Sequence, residues 1–206
     1  MSAAPAEQPP GNRSLIDEAN RLMERNPGYR VEIIEGQILV SPPADGPHGE
    51  VLTDLILPFV VAGLHGDEAK LIQGMGLWLP GGPSDYAIPD LSLVDADYRN
   101  HKAYNNCYDP VVFRLVLEVT SSNYQTDLRA KVTAYAHAKV PVYVIVDRKH
   151  SRLHVLTDPA QDGYATHRIH APGELVTLPE SIGAKVTLDV AEILTAAGRK
   201  PEAEAE

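Results

Sequence analysis

Three consecutive runs decide the fold: Val111-Val-Phe-Arg-Leu-Val-Leu-Glu-Val119, then residues 126–139, then Val142-Tyr-Val-Ile-Val146. The first and last are short and nearly all apolar, as expected of strands covered on both faces. Between them Leu128, Val132 and Tyr135 recur at helical spacing. Pro141 marks the start of the second strand. The whole is a βαβ-like unit. Upstream, residues 14–25 read as an amphipathic helix with Leu15, Ala19, Leu22 and Met23 on one face, stopped by Asn26-Pro27-Gly28. Residues 29–34 and 37–40 flank Glu35-Gly36, a hairpin signal. Residues 48–62 are helical by period, and Pro58 should kink or shorten that helix. Residues 69–79 and 87–94 read as strands, the second containing Pro89-Asp90. Downstream, 152–156, 163–169 and 174–177 are shorter strands, and 188–197 is a closing helix. The hairpins make the sheet mixed. The fold class is therefore α/β or α+β, with helices on both faces of a central mixed sheet.

The chain has 206 residues, 18 basic and 28 acidic, for a net charge of −10. That balance argues against nucleic-acid binding through a broadly basic surface, but not against a small basic cleft on an acidic body. Seven basic and three acidic residues fall between Val111 and Arg152, so the excess of acid lies elsewhere. At 44% apolar and 22% charged residues the composition is that of a globular domain. One domain is expected over residues 13–198, between an Ala/Pro-rich tail at 1–12 and an acidic tail at 199–206. The single cysteine, Cys107, excludes an intrachain disulfide and a Cys-based zinc site, and fits a reducing, cytoplasmic compartment. No signal peptide is visible, and the longest apolar stretch, residues 55–64, is too short to span a bilayer.

Two carboxylates stand out. Asp90 falls within an apolar run, Ile88-Pro-Asp-Leu-Ser-Leu-Val94, and Glu118 interrupts another. A buried carboxylate is costly unless paired, hydrated or bound to metal. Acids on neighbouring strands can converge as Mg²⁺ or Mn²⁺ requires. The alternative on spacing alone is that each sits at a strand end, solvated or ion-paired. Strict alternation puts Arg114, Val116 and Glu118 on one face, with Phe113, Leu115, Leu117 and Val119 on the other. Asp127, Lys131 and Tyr135 line one helix face, where Asp127 and Lys131 can also be a simple surface ion pair. His48 follows Gly46-Pro47. It can contact a phosphate or help position a metal site, or merely bond the loop at a helix start. Ser121 and Ser122 read as turn and cap residues, Trp78 as core or interface, and Cys107 as inert.

Taken in order, these pieces resemble the Uma-two family, a bacterial group within the PD-(D/E)XK restriction-endonuclease-like superfamily. The likeness rests on Tyr29-x-x-Glu32-x-x-Glu35-Gly36, Ser41-Pro-Pro followed by His48, and Pro89-Asp90. It continues through Leu117-Glu118-Val119-x-Ser121, Asp127-x-x-x-Lys131-x-x-x-Tyr135 and Val140-Pro-Val-Tyr-Val-Ile-Val-Asp147. It implies a restriction-endonuclease-like core and a metal-dependent nuclease acting on nucleic acid, DNA above all, as a homodimer. By that resemblance Asp90, Glu118 and Glu32 would bind Mg²⁺ or Mn²⁺. Lys131 would orient the attacking water or stabilise developing charge. His48, Glu35, Thr120, Asp127 and Tyr135 would stand around them. Thr120 occupies the position where a complete second half-motif has lysine. An alternative follows from that departure: a catalytically inactive dimeric binding or regulatory module on the same fold. A hydrolase of a small phosphorylated substrate is a third reading.

Overall fold

The computed structural model describes residues 14–120 and 128–197. Helix α1 (Leu15–Arg25) starts at a capping box, in which Ser14 and Asp17 exchange side-chain-to-backbone hydrogen bonds, and stops before Asn26-Pro27-Gly28. Ile16 and Ala19 face inward, while Leu15 turns out to be exposed. Strands β1 (Arg30–Ile34) and β2 (Gln37–Ser41) form the expected hairpin. Its two turn residues, Glu35 and Gly36, both have positive φ, as a two-residue hairpin turn demands. Helix α2 (Gly46–Val61) runs three residues past Pro58, so the proline does not end it; it falls in the last turn.

Two expected strands divide. Residues 69–79 become β3 (Ala69–Gln73) and β4 (Gly76–Trp78), separated at Gly74, whose φ is +61°. Residues 87–94 become β5 (Tyr86–Ala87) and β6 (Leu91–Asp95). In both cases the two halves join different sheets. Pro89 has no N–H for a ladder, so Pro89-Asp90 lies in the crossing between sheets and not inside a strand. After the short β7 (Cys107–Tyr108) come β8 (Phe113–Val119), helix α3 (Ala130–His137) and β9 (Val142–Asp147). Helix α3 starts later than expected, and Ser121, Ser122 and Asp127 lie outside the described residues. The chain closes with β10 (Arg152–Ala160), β11 (Gly163–His170), β12 (Leu175–Thr177), β13 (Thr187–Asp189) and α4 (Val190–Ala196).

A six-stranded sheet, in order β11-β10-β9-β8-β6-β3, is mixed: β8 and β9 are parallel and every other pair antiparallel. A five-stranded sheet, β2-β1-β5-β4-β7, packs over one of its faces together with α3. Helices α2 and α4 cover the other face. The fold is thus α/β with helices on both faces of a mixed sheet. Strict alternation fails at one place in β8. A register shift opposite Leu93 and Val94 puts Phe113 on the same side as Val116. Arg114 instead pairs with Asp95 at 2.6 Å. Trp78 is half-buried near α1 and meets Tyr104 edge-on at 6.0 Å. Burial pushes the Cys107 thiol up to about 12. Among the described residues no helix is long and apolar enough to cross a membrane.

Candidate active site between the two sheets

Alternation along β1 sends Val31 and Ile33 toward α1 and Ile34 into the space between the sheets. Arg30 and Glu32 share the Ile34 side. In β8, Leu115, Leu117 and Val119 pack under α2 and α4, which leaves Glu118 on the opposite side with Val116. Lys131 and Tyr135, one turn apart on α3, reach the same space. Asp90 enters from the crossing just before β6. Glu32, Asp90, Glu118 and Lys131 are all at most 3% exposed.

Two cations, Lys131 and Arg30, link the three acids. Lys131 Nζ lies 2.8 Å from Glu118 Oε1 and 3.2 Å from Glu32 Oε1. Tyr135 donates its hydroxyl to Glu118 Oε1 at 2.7 Å. Backbone amides complete the carboxylates: Ile88 donates to Glu32 Oε1 at 2.7 Å, and Val119 to Asp90 Oδ2 at 2.8 Å. Arg30 bonds Asp90 Oδ1 through Nη2, and its Nη1 stands 3.7 Å from Glu118 Oε2. Paired and hydrogen-bonded in this way, the acids tolerate burial that an isolated carboxylate would not. Lys131 is therefore buried among acids and does not lie on the surface.

Burial alone would raise the Asp90 carboxyl. Contact with His48, the Arg30 charge and the Val119 N–H outweigh it and hold Asp90 well below the usual carboxylate range. Burial by itself would lower the Arg30 guanidinium, but Asp90, Glu118 and Glu32 raise it above its ordinary value. Tyr135 is driven up by burial first and by Glu118 and Glu32 next, so it stays a protonated donor.

His48 sits in the first turn of α2, where Asp45 caps the helix by accepting the His48 N–H at 2.9 Å. Its Nε2 lies 3.3 Å from Asp90 Oδ2. That approach is close enough for attraction but is not aligned as a hydrogen bond, and neither ring nitrogen has such a partner among the described residues. Glu35 is exposed in its hairpin turn and does not join the cluster. Thr120 is buried beside it: its N–H donates to Val146 O at 3.0 Å, and its hydroxyl accepts the Arg148 N–H at 3.0 Å. Arg30 escaped the sequence reading. The available signal was its place two residues before Glu32, which puts both on one face of a strand.

Three carboxylates are a hard oxygen donor set of the kind Mg²⁺ and Mn²⁺ take, and the unpartnered His48 nitrogens lie beside it. The residue types fit such an ion. In this conformation the Arg30 and Lys131 cations link the acids, and among the described residues no group of three or more His, Cys, Asp or Glu is arranged to hold a metal.

Residues 16–191 match the Uma2 family, described as "Putative restriction endonuclease". The chain belongs to this family. A solved structure similar to it is that of "a putative nuclease belonging to DUF820" from Anabaena variabilis ATCC 29413. The two share 14% identity with a TM-score of 0.62, over 81% of this chain and 90% of that one. At that identity the likeness is one of fold. A comparison with curated proteins finds no match. The match agrees with the family resemblance drawn from the sequence, and the solved structure agrees with the sheet-and-helix arrangement described above.

Proposed function

We propose that this Uma2 protein is a divalent-metal-dependent nuclease that hydrolyses phosphodiester bonds of nucleic acid, DNA first among them. The observation that carries this reading is the convergence of three buried carboxylates between the two sheets: Glu32 and Glu118 meet at the Lys131 ammonium, and Arg30 joins Asp90 to Glu118. The family's description supports a nucleic acid as substrate. Asp90 and Glu118, with Glu32, would hold Mg²⁺ or Mn²⁺. Such an ion polarises a phosphoryl oxygen and lowers the pKa of a bound water. Lys131 presents a positive charge between two of the acids. From there it can orient a water nucleophile or stabilise charge developing on the phosphate. Tyr135 fixes Glu118 by donating to Oε1, and the Val119 N–H fixes Asp90. Thr120 is bound up in backbone contacts, so the lysine role falls to α3 in this reading.

The test uses purified protein with Mg²⁺ or Mn²⁺ and single- and double-stranded DNA and RNA. Asp90→Asn and Glu118→Gln keep the shape of the site. Each is expected to reduce metal-dependent cleavage at least about 100-fold, the scale of losing one preorganised electrostatic group. Absence of cleavage in the wild type, or cleavage that survives both substitutions, would refute the reading.

A further inference from the structure

Two cations sit among the three carboxylates, and they are not equivalent. The Lys131 side chain is 4% exposed and lies within 3.2 Å of two acids. The Arg30 side chain is 28% exposed. It sits on the first residue of β1, and more than a quarter of its side chain already faces solvent. Its hold is uneven, with a direct hydrogen bond to Asp90 and a looser 3.7 Å approach to Glu118. Those two acids are the ones assigned as principal metal ligands. A guanidinium is always charged and offers a planar fork that matches carboxylates.

We propose that Arg30 is the exchangeable counter-ion of this site: its guanidinium holds Asp90 and Glu118 in place until a divalent cation displaces it. Metal and Arg30 then compete for the same oxygens. Losing Arg30 strengthens metal binding, and binding metal frees Arg30. The inference rests on the metal-binding reading above, and the two can fail separately.

The experiment has two arms, both on the full chain. In the first, the wild type is labelled with phenylglyoxal with and without Mn²⁺, and mass spectrometry reads modification at Arg30. Labelling is expected to speed up several-fold when Mn²⁺ is present. In the second, calorimetry compares Mn²⁺ binding to the wild type and to Arg30→Gln. The variant is expected to bind about tenfold more tightly, within the usual range of coupling between linked sites. The first arm needs no substitution, so a variant that folds poorly does not decide the matter. The counter-ion role is overturned if Mn²⁺ binds and Asp90→Asn abolishes it, yet Arg30 labelling stays unchanged or slows. Equal or weaker binding by folded Arg30→Gln overturns it too. If neither protein takes up Mn²⁺ at millimolar concentration, the metal reading itself fails and this inference goes with it.

Discussion

Glu118 Oε1 accepts from both Lys131 and Tyr135, and Arg30 approaches its other oxygen. Those contacts explain how a carboxylate survives between Leu117 and Val119 in an apolar strand. A second buried polar group has poorer company. His154 is 7% exposed, its Nδ1 bonds His167 Nε2 at 2.9 Å, and its Nε2 stands 3.7 Å from Asp147. Burial, then the neighbouring His167, push its pKa down from 6.5 to about 4, against the pull of Asp147. The folded value lies below the unfolded one, so the unfolded chain binds the proton first as pH falls. Stability from a neutral His154 is complete above pH 6.5 and lost on the way down to about 4. The expected loss is on the order of 2 kcal/mol. His154→Gln should flatten that stretch of a urea-melt pH series; parallel losses in the two proteins would contradict it. At this scale the sequence exposed the acids and the α3 pair, because a charge in an apolar run and an i, i+4 spacing are visible in one dimension. It hid the cation that meets Asp90, because Arg30 and Asp90 are sixty positions apart and meet only when the second sheet folds over the first.

Among the elements, α2 joins the site through its first turn, which carries His48 to Asp90. Asp45 caps that turn and takes both Nη atoms of Arg148, at 2.9 and 3.0 Å. The Arg148 hydrogen bond holds the Asp45 carboxyl below its usual range. Asp45→Ala should lower stability by about 1 kcal/mol, the worth of a helix cap. Arg148→Ala should cost less, since an exposed ion pair contributes little. Chemical denaturation measures both, and a costlier Arg148→Ala would invert the assignment. Periodicity found the hairpin, β8, β9 and α2. It did not divide 69–79 or 87–94, because apolar content continues across Gly74 and Pro89 while the chain changes sheets. Nor did it foresee the bulge beside Leu93, which depends on a partner strand.

For the whole molecule, the net charge of −10 coexists with a basic excess between Val111 and Arg152. Much of that excess is already matched from elsewhere in the chain: Arg114 by Asp95, Lys131 by Glu32 and Arg148 by Asp45. Attraction for a phosphodiester therefore depends on the site and its ion more than on a broad positive field. The two sheets hold the acids in one place, and the proposed function requires that this place bind a divalent cation. Anomalous diffraction from crystals soaked in Mn²⁺ tests it most directly. One anomalous peak touching carboxylate oxygens of Asp90 and Glu118 is expected. Crystals that take up Mn²⁺ only elsewhere, with those two carboxylates still bound to Arg30 and Lys131, would contradict it.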